Sequence, residues 1–175
     1  IDNLMANTRN TPIEEVELTA PMRCERYELL AEPPAPGRWR GGLGATRVWL
    51  FNEPLQASST GDNRSIDPPR GLFGGQDGRA GEILHHKAGG DTEILPAKIS
   101  NYRFAAGDRL ELKLVSGAGY GDPKQRDPSA VWRDYCDGLI SAHDAHHDYG
   151  VVFSADNKAV DWEATAQLRQ QRDDA

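Results

Sequence analysis

Eighteen glycines and eleven prolines punctuate this chain of 175 residues, and they gather between apolar stretches only a few residues long. No other feature limits the fold as much. Proline lacks the amide that a helix interior or a central strand needs, and glycine supplies turn conformations closed to other residues. Breaks this frequent leave room for short strands and loops over most of the chain. Residues 53–91 are the extreme case, with Gly61, Pro68, Pro69, Gly71, Gly74 and Gly75 among their breaks. The expectation is a mainly β fold, a distorted sandwich or barrel, with two or three α-helices at the C-terminus. Three regions follow: an irregular lead-in with one strand over 1–36, a β-rich core over 37–126 and a helical segment over 127–175.

Hydrophobic periodicity places the elements. Residues 17–30 alternate, with breaks in strict period, between charges and the set Met22, Cys24, Tyr27 and Leu29, which predicts an edge strand turned inward through those four. In 46–51, Thr46, Val48 and Leu50 alternate with Arg47, Trp49 and Phe51, the pattern of a strand covered on both faces. Residues 94–104 and 108–115 read as further strands around a turn at Ala106, Gly107 and Asp108. The second of them puts Leu110, Leu112 and Leu114 on one side and Arg109, Glu111 and Lys113 on the other. In the tail, Asp127 and Pro128 predict the cap and first turn of a helix reaching about Asp137, with Gly138 near its end. Ser141 and Asp144 predict a capping box for a second short helix that Gly150 closes. YGVVF predicts a strand, Asp156 and Asn157 a turn, and Asp161 the cap of a last helix from Trp162 to about Arg172.

Charge and composition remove whole classes of function. A net charge of −7 gives no basic field for a nucleic-acid backbone or an anionic membrane surface. The apolar runs fall far short of the ~20 residues that span a bilayer. Cys24 and Cys136 lack disulfide or zinc spacing and no leader pattern opens the chain, so the expected compartment is a reducing cytoplasm. The length fits one domain, or a domain with an appended segment. The chain opens on Ile1, which reads as a fragment or a processed product.

Four stretches invite a chemical reading. VSGAGYGDPKQRDP passes from a strand through glycines to a helix, the order in which a dinucleotide fold holds a pyrophosphate. The spacing is G-x-G-x-G, however, and Asp122-Pro123 follows where amide donors are needed, so a tight turn is the expectation. His143 and His147, in the sequence HDAHH, stand one helical turn apart and can share a zinc ion, set against the alternative of a solvated histidine-rich helix face. His85-His86, in turn-rich surroundings, reads as a surface loop. The segment Asn7 to Pro12 concentrates amides, hydroxyls and the Arg9 guanidinium, and either lines a polar site or is a satisfied loop. G-x-S-x-G is absent, and neither cysteine stands in a nucleophile context.

NTRNTPIE, RYEL, GRWRGGLG, RGLFGG, LPAK with its following GD corner, GYGDPKQRDP and YGVV occur in this order along nearly the whole chain. Together they resemble the C-terminal part of the B-type subunit of hydantoinases and 5-oxoprolinases, a family that also takes in the large subunits of acetone and acetophenone carboxylases. The resemblance implies an ATP-dependent enzyme that opens a cyclic amide, or, in the carboxylase branch, captures carbon dioxide. It implies ATP and a divalent metal for the complete enzyme and no cofactor on this chain, because the metal-binding residues of the family lie in the part this chain does not resemble. The implied partners are the N-terminal part of the same subunit and an ATP-binding A-type subunit in a hetero-oligomer. Asn7, Arg9 and Asn10 are the candidates to meet the substrate, with Arg9 stabilising developing negative charge and the amides orienting the ring.

Overall fold

The computed structural model describes residues 10–60 and 65–173. Two antiparallel sheets of unequal size form the body. The larger runs in the order β1 (Met22–Leu29), β2 (Ala45–Phe51), β7 (Arg109–Lys113), β4 (Glu82–His86), β5 (Thr92–Leu95); β3 (Leu55–Thr60) and β6 (Lys98–Phe104) make the smaller one. Trp49, Phe51 and Leu95 of the larger sheet pack with Phe104 of the smaller, and Leu55, Ile83, Ile99, Leu110 and Leu112 close around them. The expected sandwich is therefore present and lopsided.

Strand β1 is an edge, as its sequence indicates, and the lost period has a physical cause. The register shifts between Cys24 and Arg26, a bulge that keeps Met22, Cys24, Tyr27 and Leu29 opposite Phe51, Trp49, Arg47 and Ala45 on one face. Only Met22 and Cys24 reach the core; Tyr27 and Leu29 run beyond its cover and stay exposed. Strand β2, paired on both sides, buries Thr46 and Val48 on one face and Trp49 and Phe51 on the other. Pro96 interrupts the run 94–104, so β5 stays in the larger sheet while β6 crosses to the smaller. The turn at Ala105 to Asp108, with Gly107 at φ 87°, consequently joins strands of different sheets.

Three expectations are corrected. A short helix, α1 (Ile13–Thr19), precedes β1 in the lead-in, and only its Val16 packs on the core, which left little periodicity to read. Glu111 is buried instead of facing water, because Arg26, Thr46 and His86 close over that face of the sheet. YGVVF forms no strand; a single bridge joins Phe153 to Val160.

The glycine-rich stretches 36–42, 71–78 and 116–121 lie against one another as a backbone layer. Trp39 and Tyr120 exchange amide–carbonyl bonds of 2.9 Å, Gly121 donates to the Leu72 carbonyl and Gly119 to that of Gln76. The glycines are needed for the approach: a Cβ on Gly37 would stand 2.6 Å from the Tyr120 nitrogen, and one on Gly75 would overlap the Gly119 carbonyl. The tail holds α2 (Pro128–Cys136), α3 (Ala142–His147) and α4 (Trp162–Asp173), and Asp134 of α2 accepts from Arg40 of this layer at 3.0 Å. Asp127 caps α2, Ser141 and Asp144 form the capping box of α3, and Asp161 accepts from the Ala164 amide of α4. Val131, Ile140, Ala145, Tyr149 and Val151 make a second apolar cluster there. No helix among the described residues is long and apolar enough to cross a membrane.

Candidate functional site

His85, expected on a surface loop, is buried in strand β4. Period two explains it: Ile83 and His85 both turn toward the space between the sheets, and Phe104 meets the imidazole edge-on with ring centroids 4.8 Å apart. A buried ring needs partners for both nitrogens. Nε2 lies 2.8 Å from Asp108 Oδ2 and Nδ1 lies 3.0 Å from the Tyr102 hydroxyl, which is 3.2 Å from Glu93 Oε2. Lys87 pairs with Glu93 at 3.3 Å. The row Asp108–His85–Tyr102–Glu93 thus leads from the interior to the surface, and Asp108, His85 and Tyr102 line an open groove of about 760 Å³ together with Leu55, Lys87 and Phe104.

The electrostatics fix the state of its inner end. Burial alone would raise the Asp108 carboxyl, but the amides of Ala88 at 2.9 Å and Ala105 at 2.8 Å, together with His85, outweigh it and hold the group below the usual carboxylate range. An ionised Asp108 takes the Nε2 hydrogen. Tyr102 is pushed the other way, by burial first and then by the Glu93 charge, so it remains a phenol. Its one hydrogen has two acceptors, His85 Nδ1 and Glu93. When the imidazole gains a proton at Nδ1, the phenol hydrogen turns to Glu93; when it loses one, the hydrogen returns. The row can therefore accept or deliver a proton at the groove without displacing a heavy atom.

A second polar centre occupies the opposite face of the larger sheet. Glu111 accepts from Arg26 at 2.9 Å and Thr46 at 3.2 Å and lies 2.9 Å from His86 Nε2. Burial opposes its ionisation, but His86 and Thr46, with the charges of Lys113 and Arg26, lower its carboxyl below the usual range. Every oxygen there is engaged, the mark of a satisfied network holding β1, β2, β7 and β4 in register.

The residues singled out by sequence lie elsewhere. Asn7 and Arg9 fall outside the described residues. Asn10 donates to the Tyr27 hydroxyl at 3.1 Å, on exposed edge strand β1, with β2 and β7 between it and β4. Three strand spacings, about 14 Å, separate that edge from the groove. His143 and His147 stack at 5.7 Å on the exposed face of α3, and His147 Nδ1 lies 3.0 Å from Asp148. Among the described residues no group of three or more His, Cys, Asp or Glu could hold a metal ion. The amides of Gly117, Gly119, Tyr120 and Gly121 are all spent on backbone carbonyls, and those of Lys124 and Ser129 on the Asp122 and Asp127 carboxylates, so this stretch offers no cradle for phosphate. The groove itself was missed in the sequence. Its signals were the alternation in EILHH and the GD corner.

The sequence profile of the hydantoinase B/oxoprolinase family matches residues 1–123. A protein of Pseudomonas sp. (strain NS671) assigned as the B-type subunit of a D-/L-hydantoinase is 38% identical over 170 residues, covering 97% of this chain and 28% of that one. The crystal structure of the ATP-dependent caprolactamase from Pseudomonas jessenii superposes with a TM-score of 0.63 at 26% identity, over 91% of this chain and 28% of that one. Nucleotide-free acetone carboxylase shares the fold, with a TM-score of 0.67 at 24% identity over 94% of this chain and 26% of that one. The chain spans about a quarter of the length of these proteins. With its profile match running through the lead-in, both sheets and the glycine layer, the chain belongs to the hydantoinase B/oxoprolinase family.

Proposed function

We propose that this chain is the C-terminal portion of the B-type subunit of an ATP-dependent cyclic amidohydrolase, which opens a lactam or hydantoin ring. The observation that carries the reading is the 38% identity to the hydantoinase subunit across 97% of the chain. The likeness to an ATP-dependent caprolactamase, at 26% identity, supports it from a second ring amide. ATP belongs to an A-type partner in this reading, since the glycine stretch here has spent its amides on the fold. Asn7, Arg9 and Asn10 meet the reacting ring, with Arg9 countering the charge that develops on the carbonyl oxygen. The Tyr102–His85–Asp108 row lies about 14 Å across the sheet from Asn10, beyond hydrogen-bond reach of a ring held there, so in this reading it takes no proton from the attacking water.

The test uses the assembled enzyme containing this chain, supplied with ATP and a panel of hydantoin, 5-oxoproline and caprolactam. Ring-opened product formed in step with ATP hydrolysis is the expected result. ATP turnover driven only by a ketone with bicarbonate would move the protein to the carboxylase branch, and no turnover with either set would remove the enzymatic reading.

A further inference from the structure

GRWRGGLG, RGLFGG and GYGDP, three of the motifs that carry the family resemblance, meet in the glycine layer, and the layer turns an apolar surface outward. Tyr120 is bridged to Trp39 on one side and to Leu72 on the other, which sets their three side chains next to one another. Phe73 joins them, its ring centroid 5.1 Å from that of Tyr120. All four are large and stand in solvent, Trp39 at 64% and Phe73 at 77% exposure. Phe73 also holds φ at 53°, a left-handed backbone that costs a bulky residue roughly 1–3 kcal/mol. A side chain facing only water gives little return for that strain. The base beneath is stiff, because its segments touch backbone to backbone, so the ring cannot fold inward. Beside the patch, Arg38, Trp39 and Arg126 line a hollow of about 210 Å³. Arg126 is tied to Asp134, whereas the Arg38 guanidinium has no ion partner among the described residues.

We infer that this platform is an interface within the larger subunit: Trp39, Leu72, Phe73 and Tyr120 are covered by a segment of the part of the family polypeptide that this chain does not span. That segment is apolar where it meets the aromatic rings and carries a carboxylate toward Arg38. The chain covers only 28% of the hydantoinase subunit, so the remaining polypeptide is long enough to seal the patch. A four-residue aromatic and aliphatic surface with a cation at its rim is the composition of an interface core. The inference rests on the reading of this chain as the C-terminal portion of a longer B-type subunit, and not on which ring or ketone is the substrate.

The test is made in the complete enzyme. With p-benzoylphenylalanine placed at Phe73, irradiation and peptide mapping should find the cross-link within the same subunit, in a segment outside the region homologous to this chain. Cross-links to the A-type subunit, to a second copy or to no protein at all would overturn the inference. Phe73→Asn gives an independent readout, because asparagine accepts the left-handed backbone. If the ring is covered, the variant lowers the unfolding midpoint by several degrees, while the control Ile66→Asn, at a residue 84% exposed, does not. An unchanged or raised midpoint for Phe73→Asn means that only strain was released, and the interface is refuted.

Discussion

Replacing Asp108 by asparagine isolates what the buried carboxylate contributes. Its two oxygens accept three hydrogen bonds, from the Ala88 amide at 2.9 Å, the Ala105 amide at 2.8 Å and His85 Nε2 at 2.8 Å. Asparagine fills the same space but has one oxygen. In its better orientation the oxygen keeps Ala105 and His85, and the new amino group then faces the Ala88 N–H, donor against donor. One charge-assisted bond, worth about 1.5–3 kcal/mol, is lost outright and the remaining two lose their charge. The expected cost is roughly 2–4 kcal/mol at neutral pH. The pH dependence follows from the lowered carboxyl. Its folded value lies below the unfolded one of about 3.9, so the stabilisation is complete above that value and is lost as pH falls through the folded value. Asparagine has no such proton, so urea denaturation of the two proteins should show a gap that narrows as pH falls below about 4. A gap below about 1 kcal/mol at neutral pH, or one that does not change with pH, would refute the assigned charge and bonding.

Four further outcomes are expected. Arg9→Ala in the assembled enzyme should depress turnover while the unfolding midpoint stays in place; unchanged turnover removes Arg9 from the reaction. Tyr102→Phe deletes the hydroxyl between His85 and Glu93 and keeps the ring, leaving the buried His85 Nδ1 without its partner, so urea denaturation should show a loss of about 1–3 kcal/mol; an unchanged stability removes that hydrogen bond from the network. Tyr149, fully buried, is pushed up to about 12 by burial, and its hydroxyl has no hydrogen-bond partner. Against an unfolded value near 10, stability should fall by roughly 3 kcal/mol between about pH 10 and 12, a loss absent from Tyr149→Phe, which at neutral pH should be no less stable than the parent. Gly75→Ala should cost about 3 kcal/mol by forcing apart the backbones of Gly75 and Gly119, whereas Gly42→Ala, with open space at its Cβ position, should be near neutral in the same thermal melt.

What could be read from the sequence depended on how local its cause was. Helix caps are local: Asp127, Ser141 with Asp144, and Asp161 each act within three residues, and all three helices of the tail stood where those residues put them. The bulge in β1 was visible as a broken period, and its position was settled only by pairing with β2. Burial of His85 and Glu111 was not legible in the same way. Each polar side chain is tolerated inside because partners from distant segments reach it, Asp108 and Tyr102 for His85, and Arg26, Thr46 and His86 for Glu111. A histidine pair beside glycines carries no record of those partners, so the turn composition around it dominated the reading. The glycine stretch carried the opposite hazard. Its order resembled a phosphate loop, yet the three segments need glycine because their backbones pair with one another.

The helical tail and the β body are coupled at one buried charge. Asp134 on α2 accepts from Arg40 Nε at 3.0 Å and from Arg126 Nη2 at 2.8 Å, and Arg126 Nη1 donates to the Arg38 carbonyl. Arg169 of α4 then donates to the carbonyls of Arg126 and Tyr149. A triad of this kind adds little net stability over apolar packing, but removing one member leaves the others charged and buried, at a cost of about 3–5 kcal/mol. Its value is in geometry. Arg38 and Arg40 flank Trp39, so the tail fixes the segment that carries the exposed aromatic, and the glycine layer passes that placement on to Leu72 and Tyr120 through backbone bonds alone. The tail thus acts as a brace for the outward-facing platform, and the groove of His85 lies on the sandwich beyond the reach of that brace. Loss of the Asp134 triad should accordingly loosen the aromatic surface while leaving the Asp108–His85 pair intact, a separation that follows from two apolar clusters each holding its own polar centre.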